Sequence, residues 1–275
     1  MDTTAALPPQ RPEHAGPGGR RIDWTLGDVA WGIGWFLTLF LLFPVPFVGA
    51  AAVVSGGTDT TAYYAASLIA GAGSEVGLIV VAAMFTWRKY GGGWERLGLV
   101  APNWGTLGWG VAALVTALVL GWAYGIAIEV FGIDALVSEC DDQIPREVID
   151  SAGLMVLAGI VAIAFAPVCE EIFFRGFIFP GLLRAWGVGL GILASGLLFS
   201  VAHIGPSMHK TVIPIFIIGA VFAASYYRSG NILTPILAHL VFNSVSFAVL
   251  ATVGCDDDTA ALRSAHHALQ AVLAR

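Results

Sequence analysis

Four polar residues sit in runs that are otherwise almost wholly apolar: Glu170 in APVCEEIFFRGF (residues 166–177), His203 in FSVAHIG, and His239 and Asn243 in PILAHLVFN. A carboxylate, two imidazoles and an amide are groups that take up protons, hold a metal or donate hydrogen bonds to a developing charge. Helical spacing sorts them. Glu171 and Arg175 are i and i+4 and can neutralise each other along one face. Glu170 lies about 100° further round, with no local cation, which is how a carboxylate is presented to a site. Phe199 and His203 share a face one turn apart, as do His239 and Asn243. Pro167 is expected to bend its helix just upstream of the glutamates, and Pro235 to loosen the turn before His239. Charge in hydrocarbon costs about 2.5–3.5 kcal/mol per residue, so such groups are functional or paired. A structural ion-pair cluster tying helices together is the competing reading.

These groups can meet only if their helices bring them to one depth. At about 1.5 Å per residue, His203 lies roughly 25 Å from the start of its helix near Gly187, and Asn243 roughly 18 Å from a start near Asn231. A helix ending at Arg175 would leave Glu170 too shallow. The apolar run continues through GFIFPGLL, residues 176–183, and a helix ending near Leu183 puts Glu170 about 20 Å deep.

The rest of the chain fits a membrane setting. It has 275 residues, 57% hydrophobic and 12% charged, with net charge −6 and mean hydropathy +0.80. A soluble domain carries about 25% charge, so a water-soluble globule is excluded, and the scattered cations give no stripe for nucleic acid. Lysine is confined to Lys89 and Lys210, a bias of GC-rich bacterial genomes. Apolar runs near 29–54, 64–86, 106–130, 152–183, 187–204, 211–228 and 231–253 are compatible with the roughly 20 residues a membrane helix needs. The expected fold is therefore all-α, a polytopic bundle of about seven transmembrane helices over residues 23–255. A flexible polar tail is expected over 1–22, with its prolines and Gly16, Gly18 and Gly19, and a short tail over 256–275. Arg11, Arg20, Arg21, Arg88, Lys89, Arg96, Arg184 and Arg228 fall on one side, while Asp59, Asp134, Glu139, Asp141, Asp142, Glu147, Asp150 and Asp256–Asp258 fall on the other, against Arg146, Lys210 and two tail arginines. The cation bias places the N-terminus in the cytoplasm of a bacterial inner membrane and the C-terminus outside.

Glu170-Glu171-x-x-x-Arg175, Phe199-x-x-x-His203 and His239-x-x-x-Asn243 together resemble the three motifs of the CPBP intramembrane protease family, which includes CAAX prenyl endopeptidases and bacterial Abi or bacteriocin-immunity relatives. The resemblance spans about 150–250, leaving the first three helices without a motif. It implies an intramembrane endopeptidase acting on a membrane-associated or lipidated peptide or protein. In it Glu170 would activate water, His203, His239 and Asn243 would complete the site, and Glu171, Arg175 and Phe199 would support it. The imidazoles then act as zinc ligands together with Glu170, or as direct donors to the oxyanion without metal. Asparagine is not an ordinary zinc ligand and HExxH is absent, so both schemes stand. Two rivals are a non-catalytic immunity or scaffold protein and, with Glu75 in its favour, a transporter. The expected partners are the substrate polypeptide and the bilayer.

Three further readings complete the inventory. Glu75, mid-span in the second run, is read as an unpaired buried carboxyl. Cys169 adjoins Glu170 but is turned aside as an inert buried thiol, and Ser195, Ser200, Ser244 and Ser246 lack a nucleophile elbow. Cys140 and Cys255 both fall outside, where a disulfide between them could persist.

Overall fold

A computed structural model describes residues 15–133, 136, 144–203 and 211–253. The described residues are helical throughout, apart from turns and one isolated bridge pairing Ala15 with Arg21. Cys140 and Cys255, and with them the disulfide expectation, lie outside this set.

Helices α1 (Leu26–Leu42) and α2 (Pro44–Ser55) form one apolar stretch, broken where Pro44 supplies no N–H. The start of α1 is fixed by a capping box, in which Thr25 Oγ1 accepts from Asp28 N and Asp28 Oδ2 accepts from Thr25 N. Helix α3 (Thr61–Ala83) continues through a π-helical turn to Arg88. Helix α4 (Trp104–Val130) is capped by Asn103. After the short α5 (Arg146–Ile149), helices α6 (Ala152–Gly159), α7 (Ala166–Glu171) and α8 (Phe179–Ala202) are joined by two π-helical turns, Ile160–Phe165 and Ile172–Ile178. Helices α9 (Val212–Ser229) and α10 (Leu233–Val253) follow.

Five helical stretches are long and apolar enough to cross a membrane, and α10 adds a further apolar helix. One of the five, Ala152–Ala202, has 51 residues, about 75 Å if straight and far more than a hydrocarbon core of about 30 Å. It folds in two at Gly187, whose φ of +77° is closed to most L-residues. Gly191 then lies so close to Leu183 that a Cβ would sit 3.1 Å from its backbone. The result is a central rod over 152–186 and a returning helix over 188–202, and with this split the described residues form seven apolar helical segments. Large apolar side chains face outward, Val53 and Val54 being more than 80% exposed, as a lipid-facing surface requires.

In lipid, helices gain little by hiding apolar area and instead associate through close packing of small residues. Gly196 on the returning helix meets α9 at backbone contact, and a Cβ there would sit 2.9 Å from Phe216 O and Ala220 N.

The polar tail expected over 1–22 is folded from residue 15 onward, forming a strap across one end of the bundle. Ile22 and Trp24 are its buried anchors. Arg184 at the rod's end donates to the carbonyls of Ile22, Asp23 and Trp24, and Arg20 donates to the Tyr226 hydroxyl at 3.1 Å. Gly18, with φ +66°, packs on Gly230. Composition misled here because two apolar anchors and one distant arginine suffice to hold a glycine-rich segment.

Candidate active site

The rod is not a uniform α-helix where it carries the glutamates. Glu170 and Glu171 close the single turn and a half of α7, with a π-helical turn on each side. Wider turns of this kind rotate the residues beyond them and recur at functional sites. Pro167 sits in the first turn of α7, where its missing N–H costs least. The expected bend is thus taken up by a wider turn just before it.

The two glutamates differ sharply in their surroundings. Glu171 and Arg175 are both fully buried, with Arg175 Nη1 3.0 Å from Glu171 Oε1, a close ion pair not aligned as a hydrogen bond. The same Glu171 oxygen lies 2.9 Å from His239 Nδ1. Arg175 also donates from Nη2 to Gly219 O at 3.1 Å and stacks over the Phe199 ring at 4.1 Å, with the Phe222 ring at 5.6 Å. A carboxylate beside it and aromatic faces above it are both favourable surroundings for a guanidinium. These contacts go to Glu171 and its neighbours rather than to Glu170.

Glu170 projects elsewhere. Its Oε1 is 3.7 Å from His203 Nε2 and its Oε2 is 3.9 Å from His239 Nε2. Both separations exceed a hydrogen bond, and Oε2 is buried with no hydrogen-bond partner. A buried carboxylate oxygen left unpaired is costly, so the gap marks a place for one further atom. Bonding on the far side of each ring assigns the tautomers. His203 Nδ1 is 2.8 Å from Phe199 O, and a carbonyl only accepts, so the hydrogen is on Nδ1. His239 Nδ1 is held by the Glu171 carboxylate in the same way. With Nδ1 engaged behind it, each ring turns Nε2 toward Glu170.

Asn243 is half-buried and donates from Nδ2 to Ala162 O at 2.8 Å, tying α10 to the π-helical turn before α7. Phe199 lies between the cation and the imidazoles, its ring centroid 4.5 Å from His203 and 5.9 Å from His239. All seven residues singled out in the motifs thus belong to one cluster. Sequence spacing did not disclose the Glu171–His239 bond, the Gly219 and Ala162 carbonyls, or Phe222, whose ring is 5.2 Å from His239. Nothing marks Phe222 within its apolar run.

Two imidazole nitrogens and a carboxylate are donors that zinc takes, each ring is already oriented from behind by a bond at Nδ1, and Glu170 Oε2 is unpaired. Among the described residues, however, no three His, Cys, Asp or Glu side chains are drawn together as a metal centre. The donor set fits a metal, at a spacing that would have to tighten around it.

Among the described residues no nucleophile competes with Glu170. Cys169 is a buried free thiol, and Ser244 Oγ donates to Leu240 O on its own helix at 2.8 Å. Glu75, on α3, lies close enough to Glu170 and Cys169 for their charges to interact. Its Oε2 is enclosed without a hydrogen-bond partner.

Comparison with known proteins follows the same residues. Residues 152–245 match the family described as "Type II CAAX prenyl endopeptidase Rce1-like". An Escherichia coli protein named "Uncharacterized 24.3 kDa protein" is 33% identical over 89 residues, 31% of this chain and 41% of that protein. A Bacillus subtilis (strain 168) protein named "Putative membrane peptidase YdiL" is 34% identical over 137 residues, 50% of this chain and 53% of that protein. The match therefore spans about half or less of each relative's length. No solved structure matches. The matched segment, 152–245, is the one that holds Glu170, His203, His239 and Asn243.

Proposed function

We propose that the protein is an intramembrane endopeptidase that hydrolyses a peptide bond of a membrane-associated or lipidated polypeptide with water activated by Glu170. The observation that carries this reading is the unpaired Glu170 carboxylate facing two imidazole Nε2 atoms at 3.7 and 3.9 Å inside an apolar bundle. A water in that gap loses a proton to Glu170 as its oxygen attacks the scissile carbonyl, and Glu170 returns the proton to the leaving amine. The water's second hydrogen is accepted by Nε2 of His203 or His239, which orients its oxygen toward the scissile carbonyl. Asn243 has a second amide hydrogen with which to donate to the oxyanion. Where a metal is present, His203, His239 and Glu170 hold it, and it supplies Lewis-acid polarisation of the scissile carbonyl.

Glu171, Arg175 and Phe199 keep His239 and the rod in place. A scaffold protein would keep such a paired cluster too. It would have no use for the adjacent Glu170 without a partner, which favours catalysis.

Replacement Glu170→Gln keeps the shape and removes the base. Membrane and secreted peptides, compared by mass spectrometry in cells carrying either form, should lose the products of cleavage, with turnover down about 10²- to 10⁴-fold or more. An identical peptide profile in both would remove the enzyme reading.

A further inference from the structure

The rod is enclosed very unevenly along its length. Every residue from Cys169 to Leu183 is buried, whereas Ile160 to Ala166 are half-buried or exposed. On the strap side of the glutamates, Phe173, Phe174, Phe177 and Phe179 are at most 3% exposed. Trp24 closes over them, its Nε1 donating to Phe177 O at 2.8 Å. Nothing the size of a peptide passes through that packing. On the other side the described residues enclose the site less: the His203 side chain is 31% exposed, against 11% for Glu170 and 7% for His239, and Asn243 is half-buried. Access to Glu170 thus runs past His203 and Asn243, at the end where α4 finishes and α9 begins.

The closed end is also the basic one. Arg20, Arg21, Arg88, Lys89, Arg96, Arg184 and Arg228 all lie there, held in part by Asp23 and Asp28. The open end carries Asp59, Glu147 and Asp150 against one described cation, Arg146, with Glu147 accepting from Tyr64 on the neighbouring helix. Cations retained on one side of a membrane mark the cytoplasmic face.

We propose that the site opens away from the cytoplasm, so that its substrate is a membrane-anchored or exported polypeptide whose scissile segment enters from the exterior face. This rests on the peptidase reading for the word substrate. The direction of access rests on burial and charge alone. The N-terminal strap then serves as the floor of the site, sealing it from the cytoplasm.

Accessibility of single cysteines tests the direction without knowledge of the substrate. In full-length protein with Cys140, Cys169 and Cys255 changed to Ser, His203→Cys and Ala162→Cys report on the open flank, and Arg88→Cys reports on the basic face. The probe is a membrane-impermeant sulfonated methanethiosulfonate, applied to right-side-out cells and to inside-out vesicles. The expected result is loss of the free thiol at positions 203 and 162 in right-side-out cells only, and at position 88 in inside-out vesicles only. If His203→Cys does not fold, Ala162→Cys carries the test alone. Modification of 203 or 162 together with 88 from the inside would overturn the proposal, as would their protection from both sides until detergent is added. Neither result touches the peptidase reading, which stands or falls with Glu170→Gln; a failure there would leave the labelling pattern unchanged.

Discussion

The two halves of the central rod are built from similarly apolar residues and yet behave as different materials. From 169 to 183 the rod is surrounded by the strap, α1, α3, the 94–98 turn and α9, and it carries a fully buried ion pair. From 152 to 166 it is a peripheral helix with one face open. The glutamates sit at the junction. The enclosed half holds Glu171 and Arg175 in register with His239, and the looser half leaves Glu170 approachable. A site that must be both preorganised and reachable gains from this division, because precise placement needs locked rotamers while entry needs space.

The sharpest way to break the comparison is to remove the cation from the sealed half. Arg175→Ala leaves Glu171 buried beside His239 without its compensating charge. Loss of one partner of a buried pair costs about 3–5 kcal/mol, so the folded fraction after detergent extraction should collapse. The double variant Glu171→Gln/Arg175→Met, which removes both charges, should recover much of that loss. An Arg175→Ala protein that unfolds thermally like the parent would mean that this half is not sealed.

Small steric changes probe the two halves at equal chemical cost. A Cβ at Gly181 would sit 2.4 Å from Val29 Cγ2 and 3.2 Å from the Trp24 ring, so Gly181→Ala should destabilise by about 1–3 kcal/mol. Ala164→Val adds more volume on the exposed face of the other half and should stay within about 0.5 kcal/mol. Equal shifts in denaturation midpoint would erase the distinction.

The strap offers a smaller effect. Trp24→Phe keeps the aromatic contact and removes the hydrogen bond to Phe177 O, a loss of about 0.5–1.5 kcal/mol, visible as earlier proteolysis near the N-terminus. Smallest is the effect of acid on Asp23. Its hydrogen bond to Arg96 holds its carboxyl below the ordinary aspartate value. Stability from this pair is therefore complete above about pH 4 and fades only as the pH falls below that. For so accessible a pair it amounts to no more than about 1 kcal/mol. Arg96→Ala should flatten the acid limb of stability against pH, and an unchanged limb would remove Asp23 from the strap's attachment.

How much of this could be read from residues alone follows a physical line. Membrane helices declare themselves by length and apolar composition, and isolated charges at depth draw the eye to Glu170, Glu171 and Arg175. The i,i+4 pair was legible because it lies within one helix. The bond from Glu171 to His239 spans two helices and has no local signature. The π-helical turns flanking α7 likewise leave no mark beyond Pro167, since the same apolar residues suit either winding. The strap shows the opposite failure. Polar composition over 15–22 suggests a free tail, but Ile22, Trp24 and the reach of Arg184 from the far end of the rod decide otherwise.

The reversal at Gly187 has a consequence for biogenesis. A chain made from its N-terminus delivers residues 152–202 to the membrane as a helical hairpin before α10 exists. Arg175 is already one turn from Glu171 and can neutralise it during insertion, whereas Glu170 enters with no partner and bears about 2.5–3.5 kcal/mol of exposure to lipid. His239 comes with the last described helix. Only its arrival completes the polar cluster, so a nascent chain halted before α10 holds Glu170 and His203 without His239, and on the proposed peptidase reading it has no assembled site.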